Sequence, residues 1–213
     1  MPTQIQLCNA ALDCIHVLPI DDIDATDDAS AVVLKRNFDL ALHEFLTEAF
    51  WSWAKVSDTL TEESPGPDFG WDHKFALPSD FVSLIGVNEI YPETPSDIWE
   101  IEGGYLLTDE NVSSDPAQVY VEYIKKPTES ELETFLDRMD PKCVPAFATL
   151  LAAKIAPQLA TDGLNTATAL LQRYYGVELS KARFRNGNQN RPAPRFPYHT
   201  STARQQRHSF MNR

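Results

Sequence analysis

The sequence is poor in the features that usually declare a chemistry. Only three cysteines occur in 213 residues, an odd count that excludes a fully paired disulfide framework. Cys8, Cys14 and Cys143 fall in stretches with helical spacing and are expected to be buried small hydrophobes of a reducing compartment. The five histidines are scattered, and none stands three or four residues from a cysteine or a second histidine, so no zinc pattern exists. No run approaches 18 apolar residues, and Met1-Pro2-Thr3-Gln4 lacks the basic segment and apolar run of a secretory signal. Neither a membrane span nor a leader is expected.

Catalytic signatures are missing too. There is no G-x-S-x-G elbow, Walker loop or G-x-G-x-x-G turn, and no spacing selects a pair of carboxylates for acid and base work. Trp71-Asp72-His73 sets a carboxylate beside an imidazole, but neighbours on a strand face opposite ways. The acidic loop Asp21-Asp22-Ile23-Asp24-Ala25-Thr26-Asp27-Asp28 lacks the central glycine and terminal glutamate of a calcium loop, which leaves Asp27 or Asp28 as a helix cap. No catalytic residue, cofactor or metal is expected, and the chain does not read as an enzyme.

What is present is charge, unevenly placed. Acidic side chains number 31 against 18 basic ones, a net −13. The last acid is Glu178, while eight bases (Lys181, Arg183, Arg185, Arg191, Arg195, Arg204, Arg207 and Arg213) lie beyond residue 180. The first 180 residues therefore carry −21 and the last 33 carry +8. Such asymmetry marks a terminal arm with a partner of its own. A 43% apolar content is enough for a packed core.

The hydrophobic period divides the chain into four parts. Over 1–54 it is helical: Ile5, Cys8, Ala11, Leu12 and Ile15 make one face, with Thr3 as N-cap. A longer helix from 29 to about 51 buries Leu34, Phe38, Ala41, Leu42, Phe45, Leu46, Ala49 and Phe50. It runs into the cluster Phe50-Trp51-Ser52-Trp53, whose bulk anchors it to another layer. Over 55–127 the period falls to two, predicting strands at 55–60, 71–77, 82–90, 98–102, 105–108 and 119–125, with Gly103-Gly104 as a hairpin turn. Over 128–185 helices return after Asp140-Pro141. One is Ala-rich and should kink or end at Pro157; the next runs from 165 to 185 with Ala167, Leu170, Leu171, Tyr174 and Val177 inward. From 186 to 213 there is no period, and an extended arm is expected. The fold class predicted is α+β: a bundle of about four helices, an inserted small antiparallel β-domain and a basic C-terminal arm.

The order of these fragments resembles the tail tubular protein A family, the head-to-tail adaptors of short-tailed bacteriophages. The resemblance rests on Leu7-Cys8-Asn9-Ala10-Ala11-Leu12-Asp13, on Phe50-Trp51-Ser52-Trp53-Ala54, and on Phe69-Gly70-Trp71-Asp72-His73-Lys74-Phe75-Ala76-Leu77-Pro78-Ser79-Asp80. It continues through Trp99-Glu100-Ile101-Glu102-Gly103-Gly104-Tyr105-Leu106-Leu107-Thr108-Asp109 and Tyr123-Ile124, and covers residues 4–185. Ala49-Phe50 stands where a His-Pro pair often precedes the tryptophan, and the basic arm departs in length. The resemblance implies a structural virion protein of the tail, made in the host cytoplasm. It would assemble as a twelve-copy ring between portal protein and tail nozzle, with double-stranded DNA passing through the lumen unbound and no membrane involved.

The arm's role follows from its chemistry instead. Arg183, Arg185, Arg191, Arg195, Arg204, Arg207 and Arg213 can fork onto carboxylates, and Phe196, Tyr198 and Phe210 can anchor in pockets. Together they are the expected partner-binding residues, toward portal or a neighbouring subunit. The alternative is an arm that binds nucleic acid.

Overall fold

The structure, a computed structural model, describes residues 2–67, 70–88, 99–109 and 118–189. Its elements follow the order helix, helix, strands, helices. α1 (Gln4–Cys14) opens with a capping box in which Gln6 N donates to Thr3 Oγ1 and Thr3 N donates to Gln6 Oε1. α2 (Ala29–Thr47) is capped by Asp28, which accepts from Ser30 N at 2.7 Å. Asn9 exchanges two hydrogen bonds with the Ile20 backbone, so α1 holds the acidic loop in place.

The β layer contains six antiparallel strands: β1 (Lys55–Thr61), β2 (His73–Ala76), β3 (Phe81–Val87), β4 (Trp99–Glu102), β5 (Tyr105–Thr108) and β6 (Gln118–Lys125). They form two sheets, ordered β1-β6-β3 and β2-β5-β4. Each expected strand is present, offset at its ends by one or two residues; the parts expected at 89–90 and at 98 lie outside the described residues. Gly103 and Gly104 both have positive φ and make the β4–β5 turn. The sheets are joined where Glu62 bridges to Phe75 and Glu63 N donates to the Lys74 carbonyl at 2.8 Å. Leu60, Phe75, Trp99, Leu106, Val119 and Val121 pack between them.

The chain returns to the bundle beside the point where it left, because Lys55 pairs with Ile124 and Lys125 N donates to the Ala54 carbonyl. A 3₁₀ turn (Glu129–Glu131) leads into the short α3 (Leu132–Leu136), so helix resumes before Asp140-Pro141. α4 (Cys143–Leu159) is the central helix, and its alanines allow the close approach that buries Ala146, Ala152 and Ala156 completely. Phe147 meets Phe38 and Phe45 edge-on, with ring centroids 5.3 and 5.7 Å apart. Pro157 does not stop α4, which continues to Leu159: a proline this near the C-terminus costs only the last turn. Gly163 is required at the next corner, since a Cβ there would lie 2.5 Å from the Ala156 carbonyl oxygen.

The last helix differs from the sequence expectation in register and length. α5 (Gly163–Arg173) passes through a π turn (Tyr174–Glu178) into α6 (Leu179–Gln189). Ala167 and Leu170 are buried before the turn, Tyr174 at its start, and Leu179, Ala182 and Asn186 after it. The step from 174 to 179 is five residues, so one extra residue is absorbed and the inward stripe changes phase. Leu171 and Val177, expected inward, are instead partly exposed. α6 also continues through Asn186 to Gln189, so the segment expected as arm begins four residues later. α2, conversely, stops at Thr47, one turn short of Trp51, so Phe50, expected on its inward face, lies beyond the helix and is exposed.

Deleting Gly176 removes the extra residue, restores a four-residue step between the two halves of the stripe and takes out a poor helix former. The variant is expected to fold with a thermal midpoint at or above that of the parent. A large fall in midpoint would show that the π turn itself is needed.

Candidate functional site

The residues that sequence reasoning assigned to a partner divide into two groups. Arg183 donates to the Glu48 carbonyl and, at 2.6 Å, to the Glu48 carboxylate. Arg185 Nε stands 3.5 Å from Asp140 Oδ2. Both are exposed and engaged with the bundle's own carboxylates, linking α6 to the end of α2 and to the approach to α4. Arg191, Arg195, Phe196, Tyr198, Arg204, Arg207, Phe210 and Arg213 lie outside the described residues.

A residue that the sequence did not single out completes this fastening. Asn186 accepts from Ser52 N at 2.8 Å and donates Nδ2 to the Phe50 carbonyl at 2.8 Å. It thereby satisfies two backbone groups of the Phe50-Trp51-Ser52-Trp53 turn with one amide side chain. Trp51 is fully buried, stacked on Phe45 at 4.7 Å, and donates Nε1 to the Phe45 carbonyl. Trp53 packs edge-on against Phe135. No local signal marks Asn186, since its partners lie more than 130 residues away in sequence.

On the other side of the junction, Lys125 lies between Glu131 (3.0 Å) and Asp80 (3.2 Å), and Tyr123 donates to Asp80 at 3.1 Å. Lys126 reaches Asp39 of α2 at 2.7 Å. The Lys125 ammonium, aided by the Thr128 amide and hydroxyl, holds the Glu131 carboxyl at about 2. The cavity beside this cluster, about 250 Å³, is walled by Trp53, Val56 and Phe135 with Lys125, Glu131 and Arg138. Lys125 and Glu131 are paired with each other, Arg138 adds a second cation, and Trp53 and Phe135 supply aromatic walls.

Chemistry is equally sparse elsewhere. Burial pushes the Cys8 and Cys143 thiols up to about 12, so neither is a thiolate nucleophile. No cluster of three or more His, Cys, Asp or Glu side chains able to hold a metal occurs among the described residues. No described helix is long and apolar enough to cross a membrane. His73 contacts Glu62 at 2.8 Å, a link between β2 and the end of β1. The surface as a whole is acidic, and the segment 55–127 alone holds 15 acids against four bases. Compared with known proteins, the chain matches no family model and no curated protein.

Two outcomes follow from these contacts. Asn186→Ala removes the hydrogen bonds to the Ser52 N–H and the Phe50 carbonyl and should cost about 1–3 kcal/mol in urea unfolding; an unchanged midpoint would mean that the turn holds without them. Glu131 has a depressed folded-state pKa, so its contribution is complete above its ordinary value of 4.5 and fades as pH falls through about 2. Glu131→Gln should therefore flatten the loss of stability between those pH values, read as urea midpoints at each pH.

Proposed function

We propose that the protein is a structural component of a short-tailed bacteriophage virion, an adaptor ring between the portal and the tail nozzle through which double-stranded DNA passes. The observation that carries this reading is the division of charge: a −21 body followed by an acid-free +8 tail. A ring multiplies the body's charge around a lumen, and an acidic wall repels phosphate, so DNA slides instead of adhering. The sequence resemblance over residues 4–185 gives the same assignment.

The fastening of α6 adds a mechanical reason. Asn186 and Arg183 tie the last helix to the end of α2, and Arg185 ties it to the approach to α4. A tail that begins at such a root can transmit load from a bound partner into the core. The partner-binding work then falls to the five arginines and three aromatics beyond Gln189, directed at portal or at a neighbouring subunit.

One observation favours a second reading. Arginines interleaved with Phe196, Tyr198 and Phe210 are also the composition of arms that bind nucleic acid through phosphate contacts and base stacking.

The deciding experiment mixes the purified protein with portal and measures mass and class averages. A ring seated on portal is expected, and a lasting monomer would count against the adaptor. Removal of residues 190–213, which leaves Asn186 in place, should preserve the fold and abolish portal attachment; undiminished attachment would rule out a clamping arm. Salt-sensitive DNA binding by the full chain, without portal binding, would select the second reading.

A further inference from the structure

The β layer offers one edge that is built differently from the rest. Among the described residues, the outer edges of β3 and β4 have no strand partner. β3 is blunted by two register shifts, at Phe81/Ser83 and Leu84/Gly86, and bulged edges pair poorly. β4 pairs with β5 in regular register over its four residues. Between the two edges runs an open groove of about 670 Å³, lined by the apolar Phe81, Val82, Leu84, Trp99 and Ile101 with Ser83 and Glu100 beside them. Ile101 is 44% exposed.

The two faces of β4 differ in chemistry. Trp99 and Ile101 line the groove, Glu100 borders both faces, and Glu102 lines the opposite one. That face has a second open cavity, of about 610 Å³, with Trp71, Tyr105, Glu100 and Glu102 among its lining. Trp71 Nε1 donates to Glu100 at 3.1 Å, and Lys74 lies over the Tyr105 ring at 4.1 Å. Among the described residues, Lys74 is the one cation lining this cavity, against two carboxylates. Carboxylates on an edge strand discourage pairing with another acidic strand and admit a basic one.

We propose that the β4 edge is a strand-addition site for the basic arm of a second copy of this chain, an inference that rests on the adaptor reading. Residues 190–213 carry five arginines and no acid, against 15 acids and four bases in the segment 55–127. The run Arg195-Phe196-Pro197-Tyr198 fits the site's alternation. Extended beside β4, Phe196 and Tyr198 fall on the apolar groove side and Arg195 on the carboxylate side. Pro197, which lacks an N–H, then faces away from β4, where no ladder bond is lost. An arm on one surface and a receptor on a different one make a head-to-tail contact, the type that closes rings.

The test uses the full chain. A photoreactive benzoylphenylalanine replaces Tyr198, and this protein is mixed with isotope-labelled parent protein. Cross-links from position 198 into the β3–β4 groove of the labelled copy are expected. Glu100→Lys with Glu102→Lys should lower their yield at least about tenfold, and Arg195→Glu in the arm should restore it. Because the arm change leaves the folded body untouched, Arg195→Glu alone should lower the yield even if the β4 variant fails to fold. Cross-links confined to the same copy, cross-links elsewhere on the body, or yields indifferent to both charge reversals would overturn the proposal. Portal attachment measured on the same samples separates the two readings: a ring on portal with no β4 cross-links leaves the adaptor standing and removes only this site.

Discussion

Trp51 lies fully buried where the end of α2 gives way to β1, and its indole donates to the carbonyl of Phe45, on whose ring it also stacks. A buried indole N–H needs an acceptor, and Phe45 supplies both acceptor and stacking partner from one turn earlier. Together the two contacts fold the chain back at Thr47 instead of letting the helix continue. That reversal sets where β1 begins, and β1 in turn sets β6, with which it pairs along its whole length. Asn186 closes the same turn from the opposite side. The bundle, the β layer and the root of the C-terminal tail are thus held at one junction.

This junction also separates what was legible in the sequence from what was not. Thr3 and Asp28 carry their caps within three residues, and the strands carry a local alternation, so these features could be read directly. Gly103-Gly104 likewise announces its own turn. Asn186, Arg183 and Arg185 act on residues far away in sequence, and a polar side chain at the end of a helix gives no sign of that. The composition there, with asparagines and a glycine, suggested coil. Tertiary hydrogen bonds to Phe50 and Ser52 override that weak propensity and extend the helix to Gln189.

The π turn shows a different limit. Sequence periodicity assumes a constant 3.6 residues per turn, and one absorbed residue moves every later position by about 100°. Ala167 and Leu170, which precede the turn, are buried as a constant period places them, whereas Val177 lies within the turn and is exposed. The Tyr174 hydroxyl is buried with no hydrogen-bond partner among the described residues, and burial pushes its pKa up, so the phase of the helix is set by packing of the ring and not by its oxygen.

The antiparallel pairing of Lys55 with Ile124 has a consequence for how such a molecule can diversify. The two points at which the chain crosses into and out of the β layer are neighbours, separated by about the spacing of paired strands. Everything between them can lengthen, shrink or be exchanged without moving the ends that the bundle must join. The helical half is then a fixed socket and the β layer an interchangeable fitting, so a lineage can change what its outer layer meets while keeping the buried Trp51 junction intact.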